Sequence, residues 1–309
     1  MNCDMHTVSG QYFNTFNTIT AACAKDVLEE ALLLCGDFND MLSKTIEGSD
    51  VWRINHAQGA PVCVSHHTAE ILEMALTMHR LSGGVYNIAV GGAVALWHFN
   101  DGQARVPDQA ELDEALARAD VGRIRLQGCE VTVPEGMQID LGGIAKGYIA
   151  DMIGAFLREQ GVRSGVINLG GNVLTIGARE DGAPWQIGLQ YPVKDRSKRM
   201  KYWAMLESRD DSIVTSGCYE RGFERAGKWY HHILDPRTGQ PVQNDVLSVT
   251  VQTKSSFLAD ALTTPLFILG EKAGMELAAR CGAEVAYYLR GDEILYSRGM
   301  NLAFVREDG

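Results

Sequence analysis

Residues 140–151, Asp140-Leu-Gly-Gly-Ile-Ala-Lys-Gly-Tyr-Ile-Ala-Asp151, are the stretch on which the reading of the fold turns. A strand-like segment ends in a carboxylate, two glycines make the turn, and an amphipathic helix begins near Lys146. That helix runs to Gln160 with Ile149, Met152, Ile153, Phe156 and Leu157 inward and Gly161 past its end. Short strands follow at Val166–Asn168, Val173–Ile176, Trp185–Gln190, Tyr202–Leu206 and Leu247–Gln252. Strands and helices mixed without strict βαβ alternation predict an α+β fold with mixed or antiparallel sheets and packed helices, not a doubly wound parallel sheet.

Upstream, Phe13 to Ala21 reads as a Thr/Ile-rich strand, and Lys25 to Leu42 carries apolar residues at the spacing of an amphipathic helix. Ser65 caps a helix from His67 to Leu81, and Pro107-Asp108 opens another that ends near Ala119. Ile124 to Val133 predicts a hairpin with Gln127-Gly128 at its turn. Downstream lie helices over Ser256–Leu269 and Glu271–Cys281. Pro265, which lacks an N–H, predicts a kink or restart in the first of them. A hairpin, Val285–Leu289 and Ile294–Ser297, closes the chain. Asp181 to Arg199 is polar and reads as a surface excursion. No linker separates two domains, so residues 1–309 read as one.

The chain has 309 residues, of which 46% are hydrophobic, enough for a sizeable core and too apolar for disorder. Its 28 Lys+Arg against 39 Asp+Glu leave a net charge of −11, which argues against a nucleic-acid surface. An anionic ligand then needs local help from a cation, a metal or backbone amides. The seven cysteines are scattered with no CxxC, so neither a zinc site nor a disulfide framework is signalled. No basic-then-apolar leader is visible, and the longest uncharged run, Leu81 to Asn100, is too rich in glycine to span a membrane. The chain reads as cytoplasmic, or as an exported protein whose signal, with Cys3 as a lipid-bearing residue, has been processed.

The 140–147 loop brings backbone close to a phosphate or metal, since glycines remove the Cβ atoms and a helix start presents free N–H groups. Alone, the same pattern is equally a tight strand-to-helix turn capped by Asp140. Asp260 and Thr264 stand i and i+4 on one helix face, with Thr263 beside them, a hard-oxygen pair suited to Mg²⁺ or an ordinary polar pair. His231 and His232 precede an Asp-Pro-Arg-Thr-Gly turn. On a strand they point to opposite faces, so at most one reaches a given site.

Taken together, Asp-Leu-Gly-Gly-Ile-Ala-Lys-Gly (140–147), Asn-Leu-Gly-Gly-Asn (168–172), Thr-Ser-Gly-Cys-Tyr-Glu-Arg (215–221), His-His-Ile-Leu-Asp-Pro-Arg-Thr-Gly (231–239) and Ala-Asp-Ala-Leu-Thr-Thr (259–264) resemble the ApbE family of FAD:protein FMN transferases. Ser49-Asp-Val-Trp-Arg-Ile-Asn55 and Ser82-Gly-Gly-Val-Tyr-Asn-Ile-Ala-Val-Gly91 extend the resemblance over nearly the whole chain. It implies a T-fold-like α+β architecture and a Mg²⁺-dependent reaction in which FAD is cleaved at its pyrophosphate, FMN joins a threonine or serine of a target flavoprotein, and AMP leaves. By matching positions, the metal would be held by Asp260, Thr264 and the carbonyl of Gly143, with Thr263 adjacent. FAD would be contacted by Asp140, Lys146, Val94-Ala95-Leu96 and Leu234, and His232 would accept the target hydroxyl proton. A Mg²⁺-dependent FAD pyrophosphatase and a non-catalytic flavin-binding module are the competing expectations.

The chain also departs from the family pattern. Phe13-Asn14-Thr15 stands for the usual Met-Gly-Thr, and Thr45 stands where a tyrosine often follows Leu-Ser; both positions touch the flavin in the family. Tyr86-Asn-Ile-Ala-Val-Gly-Gly92 lacks a carboxylate and a proline of the usual motif, and Cys218 replaces an aspartate. None of these removes an implied metal ligand.

Overall fold

In the computed structural model the N-terminal segment is a hairpin, Met5–Tyr12 against Thr15–Ala22. Phe13, expected to open a strand, instead forms its turn with Asn14. Both residues have φ of 56°, the left-handed pair that lets a two-residue connection match strand twist. The amide of fully buried Asn17 donates to the carbonyls of Tyr12 and Thr15 and fixes that tip. The structure describes residues 4–99, 102–192 and 201–305, so Cys3 and the end of the polar excursion, 193–199, lie outside the described residues.

The chain divides into two compact units. The first comprises residues 1–37, 146–219 and 245–309. Its eight-stranded sheet runs in spatial order Met5–Tyr12, Thr15–Ala22, Ser164–Leu169, Asn172–Gly177, Ser212–Gly217, Val246–Thr253, Glu284–Leu289 and Ile294–Tyr296. Every neighbouring pair is antiparallel. A three-stranded sheet orders Leu302–Phe304, Tyr202–Ser208 and Trp185–Gln190. Leu189, Trp203, Leu206, Ile213, Tyr288 and Met300 pack together as one core of this unit.

The helix Ser256–Arg280 lies on the strands Ser212–Gly217 and Val246–Thr253. Tyr287 of the sheet donates its hydroxyl to the Leu266 carbonyl. The backbone stays helical through Pro265, where a kink or restart was expected, and breaks at Gly270, with φ 77° and ψ −179°, between the two helices Ser256–Leu269 and Glu271–Cys281 that the sequence separates. A proline removes one helical donor and leaves its own φ helical. Gly270 leaves the helical region altogether, and glycine adopts such a positive φ without a Cβ clash.

The second unit comprises residues 38–145 and 220–244. It holds helices Asp50–His56, His66–Leu81, Gly91–Ala95 and Gln109–Leu116 and a three-stranded sheet ordered Val62–Cys63, Glu130–Thr132 and Arg125–Gln127, with His66–Leu81 against the strand Arg125–Gln127. The hairpin here turns at Gly128-Cys129, one residue later than expected, because Gln127 pairs with Glu130 and Gly128 takes φ 58°. A separate hairpin pairs Gly222–Arg225 with Lys228–His231. Ser65 accepts from Thr68 N and caps its helix as the sequence indicates. Two helices cross the unit boundaries in sequence: Lys25–Leu42 at residues 37–38, and Ala145–Glu159 at its first residue. No helix among the described residues is long and apolar enough to cross a membrane.

Candidate active site

In the first unit the helices Ala145–Glu159 and Ser256–Arg280 meet at Gly147. A Cβ there would stand 2.3 Å from the Ser256 carbonyl oxygen and 2.6 Å from Asp260 Cβ, so only glycine permits the approach. The approach lets the Gly147 N–H donate to Asp260 Oδ2 at 2.8 Å. Lys146 Nζ stands 3.8 Å from the other oxygen, Oδ1. Asp260 is 3% exposed. A buried carboxylate is unfavourable unless paired and hydrogen-bonded, and a cation beside Oδ1 would complete that compensation.

Thr264 follows one turn later on this helix and is partly buried. The buried Thr263 hydroxyl donates to the Asp260 carbonyl at 3.0 Å and accepts from Ser216 Oγ at 2.9 Å. Thr263 therefore ties the helix to the strand bearing Thr215-Ser216-Gly217, and Thr264 is the hydroxyl that shares the Asp260 face. Carboxylate, hydroxyl and carbonyl are the hard oxygen donors that suit Mg²⁺. Among the described residues no group of three His, Cys, Asp or Glu side chains could hold a metal, so a softer, nitrogen- or sulfur-rich site has no counterpart there.

The second glycine turn belongs to the same unit. Asn168 Oδ1 accepts from Gly171 N at 3.0 Å, and Asn172 Oδ1 accepts from Ser256 Oγ at 2.6 Å. A Cβ at Gly170 would lie 2.3 Å from Thr15 Oγ1, so the turn abuts the hairpin tip that carries Phe13. The Phe13 ring is partly buried, 6.3 Å from that of Tyr12.

In the second unit Asp140 is fixed from several sides. The side-chain amide of Asn55 donates to the Ile139 carbonyl at 3.0 Å and accepts from its N–H at 2.7 Å, clamping the residue before it. Asp140 N donates to Ile88 O at 2.8 Å, and Oδ1 accepts from Gly142 N at 2.8 Å. Lys44 Nζ pairs with Oδ2 at 2.6 Å. Burial pushes this carboxyl up, but the Lys44 ammonium, the Gly142 N–H and the nearby Arg221 charge outweigh it and hold the group below the usual carboxylate range. Gly143, next in the turn, is partly buried. Thr45 is exposed, its hydroxyl 3.1 Å from Ser43 Oγ.

The two histidines separate as alternation requires. His231 is buried; its Nδ1 accepts from Ile233 N, which leaves Nε2–H to donate to the Val242 carbonyl at 3.1 Å. Burial lowers its pKa and keeps it neutral. His232 is partly exposed, and its Nδ1 lies 3.2 Å from the Arg221 carbonyl. A carbonyl only accepts, so Nδ1 carries the proton and Nε2 holds the basic lone pair. Val94 and Leu96 pack against a cluster of Ala93, Trp97, Leu112 and Leu234; Ala95 is exposed. Trp97 Nε1 donates to the Gly239 carbonyl at 2.9 Å, fixing the Asp-Pro-Arg-Thr-Gly turn after Leu234. In the same turn Asp235 accepts from Arg237, which outweighs burial and lowers its pKa.

The structure thus groups Lys146, Asp260, Thr263 and Thr264 in one unit, with Phe13 on a hairpin tip of that unit. In the other it groups Asp140 with the turn of Gly143, and Val94 and Leu96 with Leu234, while Thr45 sits on a loop. Sequence reading missed Lys44, beside the Thr45 that drew notice, and Arg221, which ends the Thr-Ser-Gly-Cys-Tyr-Glu-Arg motif. It also missed Asn55 and Ser216, whose roles depend on partners 84 and 47 positions away.

Residues 11–289 match the profile of the ApbE family. A relative named FAD:protein FMN transferase from Klebsiella pneumoniae (strain 342) is 38% identical over 272 residues, 86% of this chain and 83% of the relative. One of the same name from Treponema pallidum (strain Nichols) is 37% identical over 298 residues, 91% of this chain and 82% of the relative. Among solved structures, an ApbE protein from Thermotoga maritima aligns with a TM-score of 0.88 at 30% identity, covering 96% of this chain and 98% of that one. The flavin transferase ApbE from Vibrio cholerae aligns at 0.84 and 30% identity over the same shares.

Proposed function

The chain belongs to the ApbE family, and from that premise we propose that it transfers FMN from FAD to a threonine or serine hydroxyl of an acceptor flavoprotein, releasing AMP. The observation that carries the reading is Asp260, a buried carboxylate held by the Gly147 N–H and faced by Lys146 within the sequence pattern of these transferases. We take residues 1–309 as one functional domain in which both units serve a single reaction.

The acceptor hydroxyl attacks the FMN-side phosphorus of the pyrophosphate. A new P–O bond forms to the acceptor, the P–O bond to AMP breaks, and the hydroxyl proton passes to His232 Nε2. The Nδ1–H bond to Arg221 keeps that lone pair on the correct nitrogen, and such a base contributes typically ~10²–10⁴-fold. Phosphoryl transfer otherwise rests on positioning and charge stabilisation. Asp260 and Thr264, with the Gly143 carbonyl, would hold Mg²⁺, and Thr263 secures their helix. The ion, when bound, offsets pyrophosphate charge in a chain of net charge −11. Lys146 and Asp140 contact FAD, as do the 94–96 backbone and Leu234, and Phe13 and Thr45 stand at the flavin-contact positions.

The test is AMP and flavin analysis after incubating protein, FAD and Mg²⁺ with and without an acceptor. AMP release that requires both Mg²⁺ and the acceptor, with flavin bound covalently to it, is the expected result. Free FMN released alike in both reactions identifies a pyrophosphatase, and intact FAD in both identifies a binding module; either overturns the proposal.

A further inference from the structure

The opening motif ends in a residue that the reaction as proposed does not use. Asp151 lies one helical turn beyond Gly147. Its Oδ1 accepts from Ser256 N at 2.9 Å, and its Oδ2 accepts from Phe257 N at 3.0 Å and from Ser255 Oγ at 2.8 Å. The carboxylate thus occupies the N-terminus of the helix that carries Asp260, where free N–H groups and the positive end of the helix dipole favour an anion. That helix already has its own cap: Ser255 Oγ accepts from Leu258 N at 3.2 Å. Asp151 comes from a different element, 104 to 106 positions away in sequence.

We propose that Asp151 is a positioning residue for Asp260, a reading that rests on the metal role proposed above. The two helices are joined at two points. Gly147 N–H reaches Asp260 Oδ2 at 2.8 Å, and Asp151 reaches residues 255–257. On each helix the two points are four residues, or about 6 Å, apart. Both must hold at once, so one helix cannot slide or rotate on the other without breaking one of them. Gly147 lets the backbones approach, and the Tyr148 and Phe257 rings meet edge-on at 5.0 Å on the same seam. The pair fixes where Asp260 Oδ1 and Lys146 face. A cap alone would stabilise the helix; this clamp also sets the metal-binding oxygen.

The test uses the full chain with Mn²⁺ as a paramagnetic stand-in, followed by electron paramagnetic resonance. Asp151→Asn keeps the side chain's shape but replaces an acceptor by a donor opposite those N–H groups. It is expected to weaken Mn²⁺ binding about 10-fold, the usual size of an outer-partner effect, and to quicken amide exchange at Gly147 without metal. Asp151→Glu, which keeps the charge but lengthens the arm, is expected to do the same more mildly and serves if the amide variant does not fold. Ser65→Ala, which removes the cap of a helix in the other unit, is expected to lower the melting temperature while leaving Mn²⁺ affinity within about twofold. Wild-type Mn²⁺ affinity in a folded Asp151 variant, or losses that merely track melting temperature across the set, would overturn the inference. A wild-type protein that binds no Mn²⁺ would strike the metal role of Asp260 instead; Gly147 exchange then decides the clamp, and unchanged exchange overturns it.

Discussion

The surroundings of Asp260 and those of Asp140 and His232 are built by different means. Asp260 is 3% exposed and is met by a backbone N–H at a crossing too close for any side chain at Gly147. Asp140 and His232 are partly exposed and are held mostly through other side chains and loop carbonyls: Lys44, Asn55 and Arg221. A backbone-locked buried carboxylate suits a group that must not move, such as a metal ligand. Partly exposed groups on loops suit the parts of a site that must admit a dinucleotide and then a protein hydroxyl. The buried region should therefore respond to substitution in an all-or-none way, and the exposed one by degrees.

The largest effect is expected at Asp260. Asp260→Ala should remove Mg²⁺-dependent AMP release from FAD, a loss of about 10³-fold or more if the cation supplies several kcal/mol. Retention of full turnover would erase the contrast between the regions. His232→Ala should lower transfer by ~10²–10⁴-fold while FAD still binds. FAD titration by fluorescence separates the two roles, since lost binding would make His232 a ligand contact rather than a base. Gly147→Ala should reduce unfolding free energy by about 1–3 kcal/mol in a denaturant melt, the scale of overpacking. An unchanged midpoint would mean the crossing yields easily.

Lys44→Met tests the graded side. Its ion pair is partly exposed, with 41% of the Lys44 side chain accessible, so FAD affinity should fall only about 2–5-fold. A loss as large as that at Asp260 would show the exposed region to be as rigid as the buried one. The smallest effect is the pH limb of His231. Burial lowers its pKa in the fold, so the unfolded chain binds a proton first. Its contribution to stability is complete above the unfolded value of about 6.5 and is lost as pH falls below it. His231→Phe should flatten that limb of a melting-temperature profile.

How far the sequence could be read follows from the same contrast. Local features were legible: the Lys25–Leu42 helix from its apolar spacing, the Ser65 cap, and the helix after the 140–147 turn. Phe13-Asn14 misled because Phe13 gives no sign of a positive φ, although Asn14 readily takes one, and the partner strand Met5–Tyr12 has no strong alternation to reveal the hairpin. The break at Gly270 was legible as the gap between the helices Ser256–Leu269 and Glu271–Cys281, whereas the backbone stays helical at Pro265, where a kink or restart was expected. Within the candidate site, the carboxylates and the exposed histidine stood out through their motifs. Their supports did not: Ser216 on Thr263, Asn55 on Ile139 and Lys44 on Asp140 are contacts between distant segments, and a polar residue gives no local sign of which backbone it will meet.

The most direct test of the account is the intact mass and peptide map of an acceptor flavoprotein co-expressed with this chain and, in parallel, with its His232→Ala variant. The account predicts FMN bound through a phosphoester to a single threonine or serine of the acceptor with the wild-type chain, and little or none with the variant. An acceptor that stays unmodified with the wild-type chain while FAD is consumed, or one modified equally by both, would contradict it.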